Sequence, residues 1–370
     1  MSLTQHQQLY EMIQKSEKPL ITFKKDFNGD TIATSLALAE LFKKLGKEAE
    51  IVSSGFVVPH HYRFLPRINE IKSAANGLRQ FSVSINAAGG AHPQIDYKTE
   101  ADKLHIFISP THTSFSKNDI KVNDSHFRHD VIIALGTPDL ESLGALYEDY
   151  TDLFFGVPVI NIDHAPENEH YGHINFVNVT ASSVAEMIYD FIVELDANLL
   201  DETIATYLLT GMIEKTNSFK VPSVTPKSLN IASELIAAGA ERESIIKNLY
   251  QSRTVGALKL WGRVLLNLKT DEQQKIAWAE MTESDFLETN SLPQDLLGVI
   301  EELIVSIPTI EITAIFHEHA GARSCLLKSE RGLNLRELLR EHNPAGNKSV
   351  VRFDLTEPTV NVLEKIKKLV

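Results

Sequence analysis

Over the first 200 residues, short apolar runs rich in β-branched side chains alternate with longer stretches of helical period. Pro19-Leu20-Ile21-Thr22-Phe23 predicts a strand, DTIATSLALAELFKKLG (30–46) a helix closed by Gly46, and EAEIVSSG the next strand. DVIIALG (130–136) and PVINID (158–163) predict two further strands, with helices near DLESLGALYEDYTDLF and over SSVAEMIYDFIVEL (182–195). Alternation of this kind predicts a parallel sheet with helices on both faces. Ligands of such sheets sit beyond the carboxyl ends of the strands. The turns after Phe23, Leu135 and Ile162 are therefore expected to converge on one cleft.

Between Ile71 and His129 the rhythm changes. FSVSIN, QIDYK, KLHIFIS and DIKVN are short strand patterns joined by the turn-rich AAGGAHPQ and SPTHTSFSKND, which predicts a β-rich insertion over about 75–128. From Asp201 to about Asn267 the pattern is helical, interrupted by FKVPSVTPKS. The last third alternates again: KIAWAEMT (275–282), TIEITAIFHEH (309–319), ARSCLLKSE (322–330) and KSVVRFDLT (348–356) predict half-buried strands. The helices QDLLGVIEELIVSI, LRELLREH and VNVLEKIKKLV separate them. The expected organisation is an α/β domain over 1–200 containing the insertion, a helical segment over 201–271, and a smaller α/β domain with a mixed sheet over 272–370.

A length of 370 residues is what two domains require. The net charge of −13 gives no general positive footprint for nucleic acid, so a nucleotide would have to be met in a small local pocket. With one cysteine, Cys325, neither an intramolecular disulfide nor a Cys-rich zinc site can form. No apolar run approaches the roughly 20 residues of a membrane span, and MSLTQHQQLYEMIQKSEKP reads as a polar amphipathic helix, not a signal peptide. The expectation is a cytoplasmic protein with no membrane partner.

Four motifs give the chain a family resemblance. Lys24-Lys25-Asp26-Phe27-Asn28-Gly29-Asp30-Thr31-Ile32-Ala33-Thr34 resembles an H-x-N-P-D-G-D-A-x-G-S turn, and VIIALGTPDLESLG resembles a strand ending in a metal-bridging Asp, here Gly136. VINIDHAPENEHYGHINFVNVTASSVAEMIYDFI resembles a D-H-H segment, here Asp163-His164-Ala165. GMIEKTNSFK resembles G-x-x-x-D-T-x-x-F, with Lys215 at the Asp. In this order the chain resembles the DHH phosphoesterases with their associated C-terminal domain, the architecture of nano-RNases and of phosphatases acting on 3′-phosphorylated nucleotides. The resemblance implies that architecture for both domains, and a homodimer through the first.

The resemblance also implies two divalent cations, usually manganese, that activate a water and neutralise phosphoryl oxygens. Here the ligand positions read Lys24, Asn28, Asp30, Gly136, His164 and Lys215, so only Asp30 and His164 survive, with Asp163 beside them. Asp26, Asp139 or Asp163 could assist a single ion. An ammonium repels a cation and a glycine supplies no ligand. The family's substrate-end R-S strand and glycine-rich G-G-G-H loop become Lys328-Ser329 and Pro344-Ala345-Gly346-Asn347. Asp30, at the start of a predicted helix, has a capping role open to it, and Asp163-His164 that of a local pair. Lys24 and Lys215 read either as counter-charges for a carboxylate-lined cleft or as groups that grip a phosphate.

Other clusters carry less. His317 and His319 share one face of a strand, but two histidines are too few for a site, and solvent-exposed polarity is the expectation there; Cys325 reads as a small buried hydrophobe. The reading that follows is a phosphoesterase-like protein, leaning away from catalysis and without a resident cofactor. Expected ligands are a nucleotide or short oligonucleotide in an interdomain cleft, at Lys24, Asn28, Asp30, His164, Lys215, Lys328, Ser329 and Asn347, or an unknown protein partner. Two alternatives stay open: an active nano-RNase-like hydrolase with manganese or magnesium in a rearranged or single-metal site, and a structural subunit using the 75–128 insertion.

Overall fold

The first unit runs, in chain order, α1 (Gln5–Lys15), β1 (Pro19–Phe23), α2 (Gly29–Lys44) and β2 (Glu50–Val52). The insertion strands β3 (Arg79–Ile85), β4 (Gln94–Glu100), β5 (Lys103–Ser109) and β6 (Ile120–Phe127) follow. Then come β7 (Val131–Leu135), α3 (Ala145–Asp149), α4 (Thr151–Gly156), β8 (Val159–Asp163), β9 (Ile174–Val177), α5 (Val184–Asp196), α6 (Glu202–Lys215), α7 (Pro226–Ala237) and α8 (Arg242–Tyr250). This computed structural model describes residues 5–85, 94–101, 103–109, 119–250, 254–300, 307–355 and 357–367. The chain divides into two units, Met1–Leu249 and Tyr250–Val370.

The expected parallel sheet is present, in the order β2-β1-β7-β8-β9 with every pairing parallel. Every residue of β1, β7 and β8 is buried, as continuous apolar strands must be when both faces of a sheet are covered. Phe23 pairs with Leu135 and Leu135 with Ile162, so the carboxyl ends of β1, β7 and β8 lie level. Helix α2 is buried from Gly29 to Ala39. Its small polar residues Thr31, Thr34 and Ser35 lie inside with it, and Ser35 Oγ donates back to the Ile32 carbonyl at 2.7 Å. Strand β9 was not expected: INFV is short, and its burial alternates beside a loop of polar residues.

In the insertion, β3 pairs with β6 and β4 with β5, both antiparallel, as two separate ribbons. Most of the two turn-rich connectors anticipated there lies outside the described residues.

The second unit holds α9 (Val255–Leu266), β10 (Lys269–Thr270), β11 (Ile276–Met281), α10 (Glu283–Thr289), β12 (Ile312–His319), β13 (Ala322–Ser329), β14 (Ala345–Gly346) and β15 (Val350–Asp354). Its sheet order is β10-β11-β12-β13-β15-β14, mixed because β11 and β12 are parallel while the other pairs are antiparallel. β12, expected to be half-buried, is buried from Ile312 to His317 because each of its faces meets a core. Ile315 and Leu326 pack with Phe286 and Leu260 on one face, and Ile312, Leu327 and Val351 with Leu335 and Val362 on the other. Of the expected helix QDLLGVIEELIVSI, residues 301–306 lie outside the described residues.

One expectation fails in this unit. His317 is buried, not solvent-exposed, with only 5% of its surface open. Its ring and that of His319 stand edge-on to Phe286 at 6.0 and 5.5 Å. Burial, with Arg352 and His319 adding to it, lowers the His317 pKa to about 4, so the ring is neutral at physiological pH. Cys325 is fully buried, as expected, and burial pushes its thiol up. Among the described residues no helix is long and apolar enough to cross a membrane.

Candidate anion site at the strand ends

The turn after β1 is built to start a helix. Asn28 has extended backbone, its Oδ1 accepts from Thr31 N at 3.0 Å, and Thr31 Oγ1 accepts from Asn28 N at 3.4 Å, a reciprocal cap. This corrects the capping role expected of Asp30. Asn28 caps α2, whereas Asp30 points into the core and caps α5. Its Oδ2 accepts from Val184 N at 2.8 Å and its Oδ1 from Ala185 N at 3.0 Å, with Thr34 Oγ1 donating at 3.3 Å. Gly211 of α6 permits the convergence, since a Cβ there would lie 3.0 Å from both Ala185 Cβ and Asp30 Oδ1. Burial pushes the Asp30 carboxyl up to about 6, against the pull of those backbone N–H groups and of Lys215.

Gly136 ends β7 with φ at +54°, and its N–H donates to the Ile162 carbonyl at 2.8 Å. A Cβ at this position would lie 2.6 Å from Thr31 Cγ2. The methyl of Thr31 therefore fills the space into which a side chain at 136 would project. At that distance backbone or helix must shift.

Asp163 is buried, and both of its oxygens are used. Oδ1 accepts from His164 N at 2.7 Å and Ala165 N at 3.2 Å, and Oδ2 from Asn168 Nδ2 at 2.8 Å. Asn168 is also bonded to Asn161, which bonds Asn175, while Tyr171 donates to the Thr137 carbonyl at 3.0 Å. This amide network braces the loop after β8. Its sequence signal is an asparagine at 161, within an otherwise apolar buried strand, two residues before Asp163. Asp139 is likewise turned inward, accepting from Ser142 N and Oγ at 2.7 and 2.8 Å.

Lys24, His164 and Lys215 come together here. The His164 pKa is lowered to about 4 by burial first, then by Lys215, with Lys24 also contributing and Asp163 opposing. The imidazole is therefore uncharged at neutral pH. Lys24 and Lys215 are half-buried. Among the described residues neither ammonium makes a hydrogen bond or ion pair, while Lys44 and Lys72 of the same unit reach Asp201 and Glu50 at 2.6 and 2.9 Å. The site offers two cationic groups and a neutral imidazole at level strand ends, which suits an anion.

Two divalent cations do not fit these residues. Position 136 supplies no side-chain donor, two lysines stand where the family resemblance expects ligands, and both oxygens of Asp30 and of Asp163 are held by N–H groups. Among the described residues no three His, Cys, Asp or Glu side chains group as a metal site.

The three candidates in the second unit have local roles. Lys328 pairs with Glu330 at 2.8 Å, and Ser329 Oγ accepts from Arg331 N at 3.2 Å. Asn347 Oδ1 accepts from Ser349 N, Ser349 Oγ and Val350 N, holding the turn before β15.

No protein-family model matches the chain. It is 24% identical over 368 residues, 97% of this chain and 92% of the relative, to the bifunctional oligoribonuclease and PAP phosphatase NrnA of Thermus thermophilus. It is 28% identical over 189 residues, 51% of this chain and 60% of the relative, to a probable bifunctional oligoribonuclease and PAP phosphatase NrnA of Streptococcus mutans. An exopolyphosphatase-related protein from Bacteroides fragilis matches its fold with a TM-score of 0.71 at 16% identity, covering 98% of this chain and 94% of that one. The chain is therefore a relative of the NrnA proteins and carries the fold of the DHH phosphoesterases along nearly its whole length.

Proposed function

We propose that this phosphoesterase-like protein binds a phosphate-bearing ligand, a nucleotide or short oligonucleotide, at the strand ends of the first unit, without two-metal hydrolysis. The observation that carries the reading is the pair of half-buried ammonium groups, Lys24 and Lys215, which make no hydrogen bond or close ion pair among the described residues and flank neutral His164. The ammonium groups meet phosphoryl oxygens, His164 donates one hydrogen bond, and Asn28 keeps its Nδ2 as a further donor while its Oδ1 caps α2. Asp30 and Asp163 are structural acceptors. Thr31 closing against Gly136 supports the loss of a bridging carboxylate. Lys328, Ser329 and Asn347 are not needed for this site.

A second reading, a working phosphodiesterase, is favoured by the similarity over nearly the whole chain to a protein named an oligoribonuclease and PAP phosphatase. Calorimetry with PAP and with a dinucleotide of RNA, with and without manganese, separates the two. The expected result is binding in metal-free buffer that weakens with salt, and at least tenfold with Lys24→Ala or Lys215→Ala, about 1.4 kcal/mol per charge-assisted contact. Manganese-dependent hydrolysis abolished by Asp30→Asn or His164→Ala would instead establish the hydrolase.

A further inference from the structure

The turn after β1 sets one large apolar side chain among charged and polar ones: Phe27, at the place where the resembled motif has proline. Its ring is the outermost of three. Phe23, which ends β1, stands edge-on to Phe27 with centroids 6.2 Å apart, and Phe56, beyond the end of β2, lies 5.0 Å from it at an interplanar angle of 58°. Phe23 and Phe56 meet edge-on at 5.9 Å. All three separations are those of packed aromatic pairs. Phe23 and Phe56 are buried, whereas Phe27 is half-buried, so two fixed inner rings hold an outer one that still meets solvent. A lone exposed apolar residue is ordinary. One held rigidly in the same turn as Lys24 and Asn28 is a preformed surface beside the anion site.

Sheet order relates this ring to the cationic groups. β1 lies between β2 and β7, and β8 follows β7. Lys24 leaves the end of β1 and His164 the end of β8, so a phosphate that meets both lies over the end of β7. Phe27 leans the other way, against Phe56 beyond β2. With strands about 5 Å apart, phosphate and ring are one to two strand spacings from each other, the reach of a single ribose. Over Gly29 the space is already taken by Tyr62 and Glu214, since a Cβ there would lie 2.7 Å from Glu214 Cγ. We propose that Phe27 is the surface on which the base of a bound nucleotide stacks, and that it sets the preference of this site for nucleotides over sugar phosphates. Stacking here presupposes the phosphate site at Lys24 and Lys215 and adds the group that meets the other end of the ligand. An anion grip and a flat apolar face within one ribose of each other ask for a ligand with both features, and a nucleotide has them. The ring carries no hydrogen-bonding group, so it accepts the π-face of any base and does not read base edges.

Calorimetry on the full chain in metal-free buffer tests this with AMP and with ribose 5-phosphate, which lacks the base. Wild type is expected to bind AMP about tenfold more tightly. Phe27→Leu keeps an apolar side chain against Phe23 and Phe56. It is expected to remove that advantage and leave ribose 5-phosphate binding unchanged, whereas Lys24→Ala is expected to weaken both ligands alike. The adenine H2 and H8 resonances are expected to move upfield on binding to wild type and not on binding to Phe27→Leu, a shift that a packing role for Phe27 would not produce. Equal binding of the two ligands by wild type, or an equal loss of both in Phe27→Leu, would overturn the stacking role while the phosphate site stands. Binding of neither ligand would overturn both. If Phe27→Leu does not fold, nuclear Overhauser contacts between the adenine protons and the Phe27 ring of wild type decide. Their presence supports stacking, and their absence refutes it.

Discussion

Gly136→Asp is expected to lower the melting temperature of the first unit by about 6–12 °C. Two costs add. A Cβ at 136 would sit 2.6 Å from Thr31 Cγ2, and overpacking of this kind costs about 1–3 kcal/mol. The backbone φ of +54° is one that L residues other than Asn and Asp seldom adopt, costing even aspartate up to about 1 kcal/mol. At 2–4 °C per kcal/mol for a unit of this size, a total near 3 kcal/mol gives the range stated. Thr31→Ala/Gly136→Asp removes the methyl and is expected to recover at least half of the loss, short of the whole because Thr31 Oγ1 also serves the cap on α2. Neither variant is expected to gain manganese, since Lys24 and Lys215 remain. Differential scanning calorimetry of the three proteins is the check. A single variant as stable as wild type would mean that Thr31 does not fill the place of a side chain at 136.

Asp30→Ala is expected to cost about 3–5 kcal/mol, because it strands two buried N–H groups at the start of α5 and takes a nearby negative charge from Lys215. The pH dependence of Asp30 is a finer test. Its carboxyl is pushed up to about 6 in the fold, from an ordinary 3.8. The folded state therefore binds the proton more tightly than the unfolded chain does. Protonation of Asp30 adds stability as pH falls through 6, and that gain levels off near the unfolded value; above 6 it is lost. From pH 7 to pH 5 the gain is about 1.4 kcal/mol. Asp30→Asn keeps the shape without the titration. The stability difference between wild type and Asp30→Asn, read by urea denaturation at both pH values, is expected to move in favour of wild type at pH 5 by about that amount. Curves that stay parallel would mean that burial does not govern this carboxyl.

Patterning along the chain was sufficient for β1, β2, β7 and β8 of the first sheet and for β11, β12, β13 and β15 of the second. β1, β7 and β8 are buried throughout and apolar but for Thr22, Asn161 and Asp163 because both of their faces are covered, and β12 and β13 divide their buried side chains between two cores. The four motif stretches likewise directed attention to the strand ends, since Asn28, Gly136 and Lys215 stand where the family resemblance expects carboxylates. Contacts distant in sequence were out of reach of any local pattern. Strand β9 becomes a strand by pairing with β8. The burial of His317 follows from Phe286 lying over it.

At the site the division is the same. The sequence placed two lysines, a glycine and an asparagine where the family resemblance expects metal ligands. Only the tertiary structure decided what the surviving acids do. Asp30 reaches across 154 residues to the N–H of Val184 and Asp163 is closed by Asn168, because a buried carboxylate must take its hydrogen bonds from whatever donors the packing brings near. Tertiary structure alone also set the Thr31 methyl against Gly136. These residues are 105 positions apart in sequence and become neighbours where β1 and β7 end level.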